Sequence, residues 1–207
     1  MSQYFQIHPQ TPQQRLIRRA AEIVDAGGVV VYPTDSTYAV GCHLGDKAAL
    51  ERIRSLRGVD HDHHFTLVCR DLSELAKFAR VDKSDYRLLR TLTPGPYTFI
   101  LRGTNEVPRR LLHPKRKTIG LRVPDNAISQ ALLASLGQPL MSSSLLLPGD
   151  DLPMTDASEI RERVEHAVDL VIDGGAGGME PTTVLRLDND RVEIERRGAG
   201  PVGWLEA

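Results

Sequence analysis

Cysteine is scarce in this chain. The two present, Cys42 and Cys69, sit in apolar, strand-like contexts without a paired framework, which excludes a disulfide-stapled fold and fits reduced thiols. No apolar run approaches the roughly 20 residues needed to span a bilayer, and no signal-peptide pattern opens the sequence. A cytoplasmic protein with no membrane contact is therefore expected. Net charge is nearly absent: 26 Lys+Arg against 27 Asp+Glu leave −1, which argues against a general polyanion binder. Aromatic residues make up 5% and do not interleave with basic ones, so a nucleic-acid surface built on base stacking is not expected. Internal repeats and low-complexity segments are missing as well.

What remains is a chain of 207 residues, 41% hydrophobic, enough to bury a sizeable core as a single domain over 1–207. Its charge is unevenly spread. Between Arg102 and Arg122 lie seven basic residues against one acid, Glu106; from Asp150 to Asp169 seven acids face Arg161 and Arg163. Such polarity gives one face a positive potential suited to phosphates. The pattern predicts a helix from Thr11-Pro12 to Ala26, a strand Val29–Tyr32, and a helix capped by Asp46 that ends near Arg57-Gly58. Further on it predicts strands at Phe65–Cys69, Tyr97–Leu101, Thr118–Val123, Pro139–Ser144 and Val168–Ile172. Helices are expected at Asp71–Arg80, Lys83–Leu92, Asn126–Leu136 and Asp156–Ala167, with a short one near Pro108. Thr182–Leu187 and Arg191–Glu195 read as a closing hairpin over Asp188-Asn189-Asp190, and Met1–His8 as an edge strand or a tail. Strands that alternate with helices and then pair at the end specify an α/β fold, a mixed parallel and antiparallel twisted sheet with helices packed on it.

The most informative stretch runs from Val29 to Cys42. A β-branched run stops at Pro33, and Thr34-Asp35-Ser36-Thr37 follows, so hydroxyls stand where a strand leaves the core, well set to hold a small polar ligand. Tyr32-Pro33-Thr34-Asp35, leading into Tyr38-Ala39-Val40-Gly41, resembles the signature of the threonylcarbamoyl-adenylate synthase family, the YrdC/YciO group. Six further segments match it in order. Arg54-Ser55-Leu56-Arg57 resembles the family's helix end Lys-x-Arg, with Ser55 at the lysine position and Arg57 at the arginine. Thr93-Pro94-Gly95-Pro96-Tyr97-Thr98 resembles Pro-Gly-Pro-x-Thr, and Gly120-Leu121-Arg122-Val123-Pro124 resembles an Arg-Val-Pro strand end. Ser142-Ser143-Ser144-Leu145-Leu146 is similar to Ser-Thr-Ser-Ala-Asn, with Leu146 at the asparagine position. Pro181-Thr182-Thr183-Val184 and Arg196-Arg197-Gly198 complete the series.

The resemblance implies a YrdC-like fold and a reaction joining L-threonine, bicarbonate and ATP, with Mg²⁺ carried by the ATP, into threonylcarbamoyl-adenylate and pyrophosphate for threonylcarbamoyladenosine in tRNA. Thr34, Arg122 and Thr182 would hold threonine, the arginine clamping its carboxylate. Arg57, Ser142, Ser144 and Arg196 would hold the nucleotide, with His63 at the junction. No residue stands out as a covalent nucleophile, so catalysis would consist of positioning and charge neutralisation. Ser55 and Leu146 remove two of the four polar groups of the family's Lys-x-Arg and Ser-x-Asn set, so the chain resembles the YciO branch rather than the dedicated synthases. The expectation is a cleft kept for an adenylate-like ligand that makes the adenylate poorly or not at all, or that acts on threonylcarbamoyl groups in the reverse or hydrolytic sense. A non-catalytic protein binding tRNA or double-stranded RNA is the alternative, with Arg109, Arg110, Lys115, Arg116 and Lys117 as its phosphate-facing surface. Asp60-His61-Asp62-His63-His64 offers metal-ligand types, but neighbouring residues rarely converge on one ion and no zinc spacing is present, so no metal site is expected.

Overall fold

The computed structural model describes residues 1–60, 63–188 and 191–205. Its strands are β1 (Gln3–Gln6), β2 (Val30–Tyr32), β3 (Ala39–His43), β4 (Thr66–Val68), β5 (Tyr97–Arg102), β6 (Thr118–Arg122), β7 (Leu140–Ser144), β8 (Leu170–Asp173), β9 (Thr183–Asp188) and β10 (Arg191–Arg196). The helices are α1 (Gln14–Asp25), α2 (Lys47–Arg57), α3 (Leu72–Phe78), α4 (Lys83–Leu92), α5 (Ala127–Leu136) and α6 (Ala157–Val164). Among the described residues the strands form one ten-stranded sheet in the order β1-β8-β2-β3-β7-β4-β6-β5-β9-β10. Pairing is parallel at β1–β8, β8–β2, β4–β6 and β5–β9, and antiparallel elsewhere. The expected mixed α/β sheet is what the chain forms.

Local chemistry explains most element ends. Asp46 accepts from the Ala49 amide and Gly58 closes α2 in the left-handed region at φ 61°. Asn126 accepts from the Ile128 and Ser129 amides, and Gly137 ends α5 at φ 66°. The first helix departs from expectation. It begins at Gln14 behind Gln13, which makes no side-chain cap, and the Thr11 hydroxyl instead bonds His8 Nδ1 at 2.9 Å. The N-terminal segment is an edge strand beside β8. The closing hairpin pairs Leu187 with Val192, while its tip, Asn189-Asp190, lies outside the described residues.

β3 is an element for which the sequence reading assigned no strand. Ala39 and Gly41 are poor strand formers in isolation, yet Gly41 must be small here. A side-chain carbon on Gly41 would stand 3.1 Å from the Tyr32 ring and 3.2 Å from the Met141 carbonyl.

The sheet separates two buried clusters. Val29, Val31 and Val40 face a large core shared with α2, α3, α4 and α6. Val30 and Tyr32 point the other way, under α1 and α5, with Ile17, Val24, Ile128 and Leu132. That second layer covers only part of its face. Across the sheet, Val30, Gly41, Ser142, Thr66 and Gly120 lie side by side in register. The valine is roofed by the helices, and the small residues beyond it become a cavity floor.

Candidate functional site

The cavity is about 490 Å³, the size of a site for a small organic ligand. Ala39, Ser142, Thr66, Gly120 and Thr98 make the floor, and two groups of charged side chains stand apart on its walls.

The first group gathers at the C-terminus of α2. Arg57 Nε donates to the Leu146 carbonyl at 2.8 Å, and its Nη1 donates to Ser143 Oγ in a short contact. His63 Nε2 lies 3.3 Å from the same hydroxyl, and its ring meets Phe65 edge-on with centroids 5.2 Å apart. The loop that carries His63 is held by Arg54, which donates to the Asp60 carbonyl at 2.6 Å and stacks over Phe65. Burial, with Arg57, Arg54 and His64 nearby, pushes His63 down to about 4, so its imidazole is neutral at pH 7. Burial also lowers Arg57 from its ordinary value, yet an arginine stays charged at any physiological pH. Next to this group His64 and His113 face each other with centroids 5.0 Å apart, and Arg116 completes the wall.

The second group surrounds Arg122. This arginine is only 6% exposed. Its Nη2 is paired with the Asp35 carboxylate, and its Nη1 donates to Ser36 Oγ at 3.3 Å. Arg122 Nε and Asp35 Oδ2 are buried without a hydrogen-bond partner. Thr182 Oγ1 is 2.8 Å from Thr98 Oγ1, and Arg196 donates from Nη2 to the Thr182 carbonyl at 2.9 Å. Gly198 is required here by close approach: a side-chain carbon would fall 2.2 Å from the Pro181 carbonyl oxygen.

The residues singled out in the sequence are thus brought together unequally. Arg57, His63, Ser142, Ser144, Arg122, Thr182 and Arg196 all line the cavity. Arg196, grouped with the nucleotide side in the sequence, bonds Thr182, which was grouped with the threonine side. Thr34 is not a lining residue; its hydroxyl donates to the Thr37 carbonyl at 2.6 Å and accepts from the Ser36 amide, closing its own turn. Ser142 is on the floor, but its hydroxyl is spent on the Val40 carbonyl (3.1 Å) and Tyr32 OH (2.8 Å). Arg109, Arg110, Lys115, Arg116 and Lys117 are all exposed, and of the five Arg116 lines the cavity. Arg110 is tied to the Gly45 carbonyl at 2.6 Å, and the Lys115 and Arg116 amides both donate to His113 Nδ1. Of the histidine-rich run, His61 and Asp62 lie outside the described residues. Ser55 is exposed on α2 and does not line the cavity, whereas Leu146 does.

Sequence reasoning offered His64 beside His63 as the loop residue, and missed Asp35, Ser143 and His113. For Ser143 a signal existed. Side chains alternate along a strand, so of three consecutive serines the middle one points away from its neighbours, toward α2. No local pattern pairs Asp35 with an arginine 87 positions away.

Comparison with known proteins agrees with this architecture. The profile of the Sua5/YciO/YrdC family, described as telomere recombination, matches residues 22–198. The chain is 57% identical to YciO of Escherichia coli over 202 residues, 98% of each protein. The crystal structure of that protein superposes with a TM-score of 0.93, covering 97% of this chain and 98% of the other. A threonylcarbamoyl-AMP synthase of Nitrosococcus oceani is 31% identical over 162 residues, 78% of this chain and 86% of that one. Sua5 of P. abyssi, crystallised with L-threonine, shares the fold at a TM-score of 0.89 and 24% identity, covering 98% of this chain and 59% of its own. No helix among the described residues is long and apolar enough to cross a membrane. With a matching profile over most of its length and a near full-length match to YciO, the chain belongs to the Sua5/YciO/YrdC family.

Proposed function

We propose that the cavity holds an adenylate-like ligand joined to an amino-acid carboxylate, of the threonylcarbamoyl-adenylate type, and that synthesis of that adenylate from L-threonine, bicarbonate and MgATP is weak or lost. The observation that carries this reading is the separation of two arginine groups along one small-residue floor. The Arg57 guanidinium spends its resolved bonds on neutral oxygens, so its charge is left to neutralise a phosphate. Arg122, which lines the same cavity as Thr182 and Arg196, would receive the carboxylate. The weakening of synthesis rests on Leu146, which lines the phosphate end with an apolar side chain where an amide would donate to pyrophosphate. Ser55 takes away a second cation. The synthase among the relatives and the threonine-bound Sua5 support the ligand class.

A second reading has its own observation. Exposed basic residues from Arg109 to Lys117 adjoin the cavity through Arg116, so the phosphates of a tRNA or another double-stranded RNA would meet them at its mouth. One experiment separates the two. Pyrophosphate release is measured with ATP, threonine and bicarbonate, each omitted in turn, beside calorimetric titration with AMP and retardation of tRNA. AMP binding weakened roughly 10- to 100-fold in Arg57→Ala, with pyrophosphate release far below that of a true synthase, is the expected result. Retarded RNA without any nucleotide binding would favour the second reading, and full synthase turnover would overturn the first.

A further inference from the structure

Ser143 carries an arrangement with chemistry of its own. Its hydroxyl accepts from Arg57 Nη1 and lies 3.3 Å from His63 Nε2, and all three side chains line the cavity. A guanidinium can only donate, so it takes a lone pair of Oγ and leaves the hydroxyl proton to find an acceptor. His63 is neutral at pH 7 and has one ring nitrogen free to accept. The Arg57 contact assigns that role to Nε2. The ring is held in place by Phe65 and by a loop that Arg54 pins to the Asp60 carbonyl.

We propose that Ser143 is a nucleophile with His63 as its general base, acting on an activated acyl or carbamoyl carbon carried on phosphate. The proposal rests on the adenylate reading above for its substrate class. Ser143 Oγ forms a bond to the carbonyl carbon while its proton passes to His63 Nε2. The bond from that carbon to the bridging phosphate oxygen breaks, and the electron pair leaves with AMP. Water then attacks the carbamoyl-serine ester, returning the hydroxyl to Ser143 and releasing the carbamate. Arg57, donating to Oγ, stabilises negative charge as it develops on that oxygen and stands where the phosphate leaves. The matching family pattern has threonine here. Serine makes the hydroxyl primary and less hindered, and Leu146 leaves the reacting end without the amide that would hold a second phosphate.

Diisopropyl fluorophosphate tests the nucleophile without any nucleotide, because Oγ attack at phosphorus expels fluoride and leaves a stable adduct. Intact mass and peptide mapping should show one adduct per chain, on Ser143, absent in Ser143→Ala and slowed by AMP. In His63→Gln, with an unchanged circular dichroism spectrum, labelling should slow by at least about 100-fold, the lower end of general-base effects. Ser143→Thr should label more slowly than wild type while keeping AMP affinity. No adduct, an adduct elsewhere, or equal rates in His63→Gln overturns the proposal. AMP bound without an adduct overturns the nucleophile alone, whereas an adduct without AMP binding overturns the adenylate reading and keeps the nucleophile.

Discussion

The two ends of the cavity use arginine in opposite ways. At one end the bonds of Arg57 go to a carbonyl and a hydroxyl, so the side chain is oriented while no carboxylate among the described residues pairs with its charge. At the other, Arg122 is buried against Asp35 and its charge is already balanced within the fold. The first arrangement is prepared for an anion. The second must exchange or share a partner before it can hold one, and the buried, unpartnered Arg122 Nε and Asp35 Oδ2 are the atoms such an exchange would use. Holding charge ready is inexpensive near solvent. Deep in the sheet the same readiness would leave a bare cation in a medium of low dielectric, so the fold supplies its own counter-ion.

Breaking that comparison should give the largest effect. Asp35→Ala leaves Arg122 buried and unpaired, and a loss of about 3–5 kcal/mol is expected in urea unfolding. A loss below about 1 kcal/mol, the range of exposed pairs, would mean that Arg122 reaches solvent. Arg57→Ala removes no counter-ion. It should unfold near wild type but weaken AMP binding by roughly 10- to 100-fold, the worth of a charge-assisted bond of about 1.5–3 kcal/mol.

Restoring the missing polar groups sharpens the contrast at the phosphate end. The pair Ser55→Lys and Leu146→Asn should raise ATP-dependent pyrophosphate release above wild type. Unchanged release would show that synthesis is limited elsewhere. A smaller effect concerns pH. His63 is held near 4, below its unfolded value of about 6.5. The unfolded chain therefore binds a proton before the native one, and stability present above about pH 6.5 is lost as pH falls toward 4. In His63→Gln that part of the fall between pH 7 and pH 4.5 should vanish from the urea midpoints. Smallest of all, Thr34→Val should leave L-threonine affinity unchanged, since its hydroxyl closes a turn rather than facing the cavity.

Much of the frame is local and was legible. Asp46 and Gly58, or Asn126 and Gly137, delimit helices through bonds a few residues long, and the expected and observed ends agree closely. The helix expected at Thr11-Pro12 starts later because His8 takes the threonine hydroxyl that would have capped it. β3 escaped because its small residues signal a turn in sequence, and the reason for the size of Gly41 is the Tyr32 ring and the neighbouring strand. The candidate site was legible in its residue types and less so in its partners. Arg57, Arg122 and Thr182 were found by pattern, but Ser142 was preferred to Ser143, and a strand's alternation turns the first to the floor and the second to Arg57.

Sequence by itself determined the α/β class, the order of most elements and many of the residue types that gather at the cleft. These follow from periodicity, capping and composition, which act over a few residues. Only the tertiary structure decided which charge meets which. Arg57 and Ser143 are 86 positions apart, and Arg122 and Asp35 are 87. Strand order and register bring such pairs within bonding distance, and burial then decides whether a charge is left for a ligand or cancelled within the chain.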